Sequence, residues 1–314
     1  MNTNEQFIWV EKYRPQTVEE TILPDTIKKI FKDFVKKGDL QNLLLAGGAG
    51  IGKTTIARAL LNEIGADYIV INGSLERGID VLRTTIAQFA TTVSFTGGRK
   101  FIIIDEADNL THDAQRGLRA HIEDFSANCG FILTCNFKNK IIEPLHSRTS
   151  VVDFKVSKEE MPNICGQFFK RICGILDDEG VPYDRPAVAA LIKQYYPDWR
   201  RTLNELQRYA ATGKIDEGIL KSSATENLED LFAMMRAKDF TQVRQWIGLN
   251  SDMDSAPLYR SLYDTMPALL ADTQSVAAMV VILAEYQYKE AFVADVEVNR
   301  AAAFATLMAE MSWK

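Results

Sequence analysis

Between residues 40 and 152, short and almost wholly apolar runs alternate with longer stretches whose apolar positions recur every three to four residues. The runs predict strands over 41–46, 68–71, 100–104, 130–135 and 151–154; the stretches predict helices over 53–63, 80–92 and 114–125. Strands this apolar, separated by helical crossovers, indicate a parallel sheet covered on both faces. After Phe154 the strand signal vanishes. The stretch 159–179 places Met161, Ile164, Phe168, Ile172 and Ile175 at helical spacing; 185–195 is entered through Pro186, and 200–211 closes near Gly213. Beyond a polar stretch at 221–227, helices are predicted over 228–237, 240–249, 256–270, 275–292 and 299–311. The expected domains are 1–154, a helical unit at 155–221 and a second helical unit at 222–314. No internal repeat or low-complexity segment interrupts this plan.

Composition narrows the setting. A chain of 314 residues is long for one core. Its first six residues are polar and unlike a signal peptide, and every apolar segment is broken by charge well short of membrane-spanning length. The four cysteines (129, 135, 165 and 173) lack C-x2-C spacing, and three histidines leave little material for a zinc site, so buried thiols in a reducing cytosol are expected. The net charge of −6 speaks against a protein that coats nucleic acid. Its distribution matters more. Residues 1–150 balance 18 Lys plus Arg against 18 Asp plus Glu, whereas 218–314 carry 8 against 13, leaving the first part free to present a local positive face.

Two motifs sit at predicted strand ends. Gly47 to Thr54 follows Leu43–Ala46 and fits G-x4-G-K-[ST], in which glycines expose backbone N–H groups to phosphate oxygens. Lys53 would reach the β and γ phosphates, and Thr54 would offer a hydroxyl to Mg²⁺. Asp105-Glu106-Ala107-Asp108 follows Phe101–Ile104: Asp105 can hold magnesium through water and Glu106 can orient the attacking water. Asn136 ends the fourth strand, where an amide can touch the γ-phosphate. Arg148 precedes the fifth strand and could reach a neighbouring subunit's phosphate, and Arg200 opens a helix that could touch the nucleotide across a domain cleft. ATP binding and hydrolysis follow, against the alternative of a site that binds without cleaving.

Trp9-Val10-Glu11-Lys12-Tyr13-Arg14-Pro15, Gly50–Thr55, Asn72–Asp80, Asp105–Asp108, Ser147-Arg148-Thr149 and Trp199-Arg200-Arg201 occur in an order and spacing that resemble the replication factor C small subunits. With its Met311-Ser312-Trp313-Lys314 ending, the chain is also similar to the clamp-loader large subunits of T4-related tailed phages. The Glu-Lys-Tyr-Arg-Pro segment is the specific marker. The resemblance implies an α/β AAA+ module with sheet order 5-1-4-3-2, a helical lid and an all-helical collar. It implies an adenine pocket from Val10, Glu11, Lys12, Tyr13 and Ile22, and phosphate contacts from Gly50, Ile51, Gly52, Lys53, Thr54 and Thr55. It also makes Thr54 and Asp105 the magnesium residues, Glu106 the catalytic base, Asn136 and Arg200 the two sensors, and Arg148 the finger entering the adjacent site. Thr149 departs from the commoner Ser-Arg-Cys.

By the same likeness several copies form a spiral around primer–template DNA, touching phosphates rather than bases. Candidates are the helix starts at Gly78, Ile79 and Asp80 and at Thr111, with Arg77, Arg83 and Arg116 adding charge. Arg77 matches a basic switch that restrains Glu106 until DNA draws it away. Arg119 more plausibly faces a neighbouring subunit. Phe89 and Phe95 are the candidate anchors for a sliding clamp. The expected partners are that clamp, further copies of this chain and a distinct small subunit in a 4:1 pentamer, in the cytoplasm of an infected bacterium. The alternatives are a non-hydrolysing scaffold subunit and a helicase-type AAA+ motor.

Overall fold

The computed structural model describes residues 7–314 apart from 39, 76–77, 95–97, 212, 217, 222–223 and 252, with the backbone alone for 79–81, 220–221 and 224–227. Two compact units meet at residue 220. The first begins with α1 (Trp9–Lys12), α2 (Asp25–Lys37), β1 (Leu43–Ala46), α3 (Lys53–Ile64), β2 (Tyr68–Asn72) and α4 (Ile79–Thr91). It continues with β3 (Lys100–Asp105), α5 (His112–Asp124), β4 (Cys129–Cys135), α6 (Glu143–His146) and β5 (Ser150–Asp153). All five strands pair in parallel in the order 5-1-4-3-2.

The apolar character of the strands has a direct cause. Leu44, Ile102, Ile104, Phe131 and Leu133 face one core cluster, while Leu43, Leu45, Phe101, Ile103 and Ile132 face another. With both sides covered by helices, the middle of the sheet is apolar, and the buried polar residues of β3 and β4, Lys100 and Thr134, stand at or next to strand ends. Register then aligns the strand ends: Leu45 pairs with Thr134, Ala46 with Cys135 and Asn72 with Asp105. The C-terminal edge of the sheet thereby gathers residues that are far apart in sequence. This is where open parallel sheets bind ligands.

A lid follows, built from α7 (Met161–Asp178), α8 (Arg185–Tyr195) and α9 (Trp199–Ala210), with α10 (Gly218–Lys221) at the division between the units. Its core of Phe168, Ile172, Leu191 and Leu206 also takes in Trp9, so α1 packs with the lid. Helices α1, α2, α6 and α10 lie outside the predicted set. Ile27, Phe31, Phe34 and Val35 gave α2 a readable helical face; the other three are four residues each, too short for periodicity.

The second unit contains α11 (Ala224–Arg236), α12 (Phe240–Leu249), α13 (Ser255–Thr265), α14 (Thr273–Glu290) and α15 (Val296–Glu310) around one cluster running from Leu228 to Met311. The helix predicted over 256–270 ends earlier, at Thr265, and a 3-10 turn containing Pro267 follows. Part of this unit's acidity has a structural use: Asp239, Asp254, Asp272 and Asp295 each cap a helix by accepting backbone N–H groups.

Candidate nucleotide-binding and hydrolysis site

The phosphate loop runs from β1 into α3. Gly50 and Gly52 have left-handed φ values of 71° and 95°. Gly50 is also required by contact, because a Cβ there would fall 1.8 Å from Asp198 Oδ1 at the start of α9. Gly52, at the N-cap of α3, offers no side chain to cap the helix, so the first-turn N–H groups stand open to an anion. Lys53 is buried, and its Nζ donates to Gly47 O (2.8 Å), Gly48 O (2.6 Å) and Asn136 Oδ1 (2.8 Å). Burial lowers its pKa, and the Arg200 charge pushes the same way, while nearby Asp105 and Asp108 oppose the shift.

At the end of β3, Asp105 Oδ1 accepts from the Thr54 and Thr134 hydroxyls, both at 2.6 Å. Thr134 is fully buried and also accepts from the Glu106 N–H at 3.0 Å, so one hydroxyl ties both acids to β4. Glu106 has a left-handed backbone (φ 55°), a conformation that costs a side-chain-bearing residue about 1–3 kcal/mol. Its carboxylate Oε2 accepts from Ser74 Oγ and, at 3.2 Å, from Asn109 Nδ2, which also donates to Ser74 Oγ at 2.7 Å. Gly73 makes this approach possible: its N–H donates to Asp105 O at 2.7 Å, and a Cβ would lie 2.6 Å from Glu106 O. Asp108 holds the turn bearing Asn136, accepting from the Asn136 and Phe137 N–H groups at 3.2 and 3.0 Å.

The base end of the cleft is apolar. Val10, Tyr13, Thr21, Ile22 and Leu23 meet Phe168, Trp199 and Leu203 of the lid, and Arg14, Arg171 and Arg200 complete the lining. Glu11 and Lys12 lie outside this lining; Glu11 pairs with Arg14, and Lys12 with Glu179 at 2.7 Å. The Trp199 N–H donates to Gly50 O at 3.2 Å, so the lid touches the phosphate loop directly and brings Arg200 to the cleft.

Arg148 is on the other side of the sheet domain, just before β5. It pairs with Glu123 of α5, and its Nη1 donates to Pro144 O (3.0 Å) and Ser147 Oγ (3.1 Å). Thr149 Oγ1 donates to Leu145 O at 2.8 Å, closing the same turn. Among the candidate DNA residues, Gly78 is the N-cap of α4, whose first turn includes Ile79 and Asp80, and Arg83 is exposed one turn on. Thr111 caps α5 by accepting from Ala114 N–H, and Arg116 is exposed 3.5 Å from Asp113. Arg119 lies 3.7 Å from Glu123. Phe89 is half-buried against the sheet core, with Lys100 Nζ 4.5 Å from its ring centre. Arg77 and Phe95 lie outside the described residues.

Residues 43–158 match the family model "ATPase family associated with various cellular activities (AAA)", and 160–221 match "Sliding-clamp-loader large subunit, AAA+ ATPase lid domain". The sliding-clamp-loader large subunit of Enterobacteria phage T4 is 34% identical over 98% of this chain and 98% of its own length. The replication factor C small subunit of Archaeoglobus fulgidus is 36% identical over 81% of this chain and 84% of its own. The chain belongs to the clamp-loader family of AAA+ ATPases. Among solved structures, the Thermotoga maritima RuvB Holliday junction branch migration motor is 18% identical over 75% of this chain and 85% of its own, with a TM-score of 0.52. That likeness concerns the fold alone.

The family's nucleotide chemistry fits the residues present. The Thr54 hydroxyl and Asp105 carboxylate converge beside the phosphate loop, an oxygen set that suits Mg²⁺ bound mainly through substrate phosphates.

Proposed function

We propose that this chain is the ATP-hydrolysing subunit of a loader that opens a ring-shaped clamp and leaves it closed on DNA at primer–template junctions. The carrying observation is the convergence of Lys53, Thr54, Asp105, Glu106 and Asn136 on the edge of one sheet, in a chain whose clamp-loader relatives align along its whole length. Lys53 moves from the loop carbonyls to the β and γ phosphates of ATP. Thr54 and Asp105 would hold Mg²⁺, which would offset phosphate charge when bound. Glu106 orients the attacking water and takes its proton, and Asn136 positions the γ-phosphate. Arg200 joins from the lid, and Arg148 of a neighbouring copy completes the site.

The Ser74–Asn109 hold on Glu106 gives the DNA dependence a physical route. Ser74 lies in the turn that leads from β2 towards the start of α4, a candidate phosphate contact. Binding of the backbone near Gly78–Asp80, Arg83, Thr111 and Arg116 shifts that turn and frees the carboxylate, with Arg77, three positions after Ser74 in the sequence, as the expected basic contributor. Phe89, near the end of α4, and Phe95, six positions further along the chain, are the candidate clamp anchors; the partial burial of Phe89 against the sheet core counts against Phe89.

The boundaries 1–154, 155–221 and 222–314 describe the sheet module, lid and collar of this machine. In the collar, Val281 and Tyr288 are 65% and 71% exposed on one face of α14, and Phe292, just past the helix end with its ring 5.2 Å from that of Tyr288, is 74% exposed, a surface suited to contact with further copies and a small partner subunit in a 4:1 ring. No helix among the described residues is long and apolar enough to cross a membrane, and phage relatives support action inside the infected bacterial cell.

The deciding experiment is ATP turnover by the assembled complex with and without clamp and primed DNA. Strong joint stimulation is expected. Turnover tied to strand separation would indicate a motor, and turnover indifferent to both ligands a scaffold.

A further inference from the structure

The chain segment lining the base end of the cleft is shared between two bodies. Its first half belongs to the lid: the Trp9 side chain is buried in the lid core, and the Trp9 N–H donates to Gln207 Oε1 of α9 at 2.9 Å. The Lys12 ammonium and the Tyr13 hydroxyl both donate to Glu179, just past α7, at 2.7 Å. Its second half belongs to the sheet module: Val18 and Leu23 pack in the cluster under α3, and the Val18 N–H donates to Glu63 Oε2 at 2.8 Å. The change of allegiance falls around Pro15. One side chain reaches both halves. Arg171, on α7, donates from Nη2 to Tyr13 O at 2.8 Å and from Nη1 to Glu20 O at 2.9 Å, and itself lines the cleft.

We infer that Arg171 is a positioning residue for the nucleotide base, fixing the spacing between the lid-borne wall (Val10, Tyr13) and the segment anchored on the sheet module (Leu23) of the base pocket. The rigid fork of a guanidinium suits this task, because two N–H groups can hold two carbonyls at a set separation; an ammonium is a point donor and cannot fix both. The phosphate end needs no such staple. Apart from Arg200, its parts are carried by one hydrogen-bonded sheet edge and by the loop and helix that follow β1. The assignment rests on the reading of this cleft as the ATP site, and it predicts that Arg171 acts on the base and leaves phosphate binding and the chemical step alone.

The test is calorimetric binding of ATP, ADP and inorganic tripolyphosphate to the full chain, with turnover measured in the assembled complex. Arg171→Gln is expected to weaken ATP and ADP alike by roughly tenfold, the usual scale for losing hydrogen bonds to a charged group. Tripolyphosphate binding and turnover at saturating ATP should stay within about twofold. Arg171→Lys, which preserves charge and volume, should fall between the two and serves if the Gln variant does not fold. Unchanged ATP affinity, or an equal loss for tripolyphosphate, would overturn the assignment. Wild-type protein that binds no ATP, with Lys53→Ala indistinguishable from it, would instead remove the ATP-site reading on which the assignment rests.

Discussion

The two ends of the nucleotide cleft are built on opposite principles. At the phosphate end, the functional groups stand on neighbouring parallel strands or on the loop and helix that follow β1, and their separations are set by the ladder itself. Thr134 sits opposite Leu45, Asp105 opposite Asn72, and the buried Thr134 hydroxyl then bridges to Asp105 and Glu106. At the base end, the walls come from the N-terminal segment and from two lid helices, joined by side chains such as Glu179, Gln207 and Arg171. A ladder of main-chain hydrogen bonds resists relative movement, whereas a few side-chain contacts allow it. On the proposed reading the phosphate end is preorganised for chemistry, while the spacing at the base end depends on a few side-chain contacts. Loss of a phosphate-end group should strike the rate, and loss of a base-end group should strike affinity.

The largest expected effect tests the first half of that statement. Glu106→Gln keeps the shape and a hydrogen-bonding amide but removes the base, and should cut turnover by roughly 10²–10⁴-fold while changing ATP affinity by less than about twofold. Single-turnover kinetics with equilibrium binding separates the two. A parallel loss of affinity would mean that Glu106 helps to hold the nucleotide and would blur the division between the ends. Arg148→Ala comes next. It should lower stimulated turnover of the complex by roughly tenfold or more and leave ATP binding by the isolated chain intact. Lost binding in the isolated chain would place Arg148 in its own site. In the free protein its guanidinium is engaged by Glu123, whose pKa is lowered chiefly by that hydrogen bond, so the finger must change partners to act across an interface.

The same contrast explains what the sequence disclosed. Lys53, Thr54, Asp105, Glu106 and Asn136 were legible because each lies in a short motif at the end of an apolar run, and a strand end in a parallel sheet has a known place. The strand order came from family resemblance, since periodicity alone does not say which strands pair. Ser74 and Asn109 as the partners of Glu106 escaped notice, as no local pattern joins a turn serine to a carboxylate 32 residues away. Arg171 and Glu179 read as the polar side of an amphipathic helix and its end. Their targets, Tyr13 and Lys12, are 158 and 167 positions away, and only the packed lid brings them together. Glu11 and Lys12, which the family resemblance puts in the adenine pocket with their neighbours, pair through their side chains with Arg14 and Glu179, because in a short helix successive residues point different ways.

Thr134→Val probes the ladder-built end without touching a reacting group. Valine matches threonine in shape, so the change deletes the hydroxyl bridge and leaves the Glu106 N–H without its partner inside the protein. The expected cost is about 1–3 kcal/mol of stability, read by denaturant unfolding, with turnover falling severalfold because Glu106 loses the contact that supports its left-handed backbone. Undiminished turnover in a destabilised protein would show that the strained turn is held by the remaining contacts, among them Gly73 N–H to Asp105 O.

The smallest effect should come from Ser74→Ala, and its sign is what matters. Ser74 donates to Glu106 Oε2 and receives from Asn109, so on the proposed reading the serine would restrain the carboxylate without contributing to the reaction. Removing its hydroxyl leaves the Asn109 contact at 3.2 Å as the remaining described hydrogen bond to that carboxylate. Because Glu106 is only partly buried, water can replace the lost donor and the cost to stability should be small. Basal turnover without DNA should then rise about two- to threefold, as expected for losing a net stabilisation of about 0.5 kcal/mol of the restrained state. Turnover with clamp and primed DNA should not change, since the hold is already released there. A fall in both rates would instead make Ser74 a support that keeps Glu106 in its working position. The phosphate end would then carry no built-in restraint, and its DNA dependence would have to come from Arg77 or from the subunit interface.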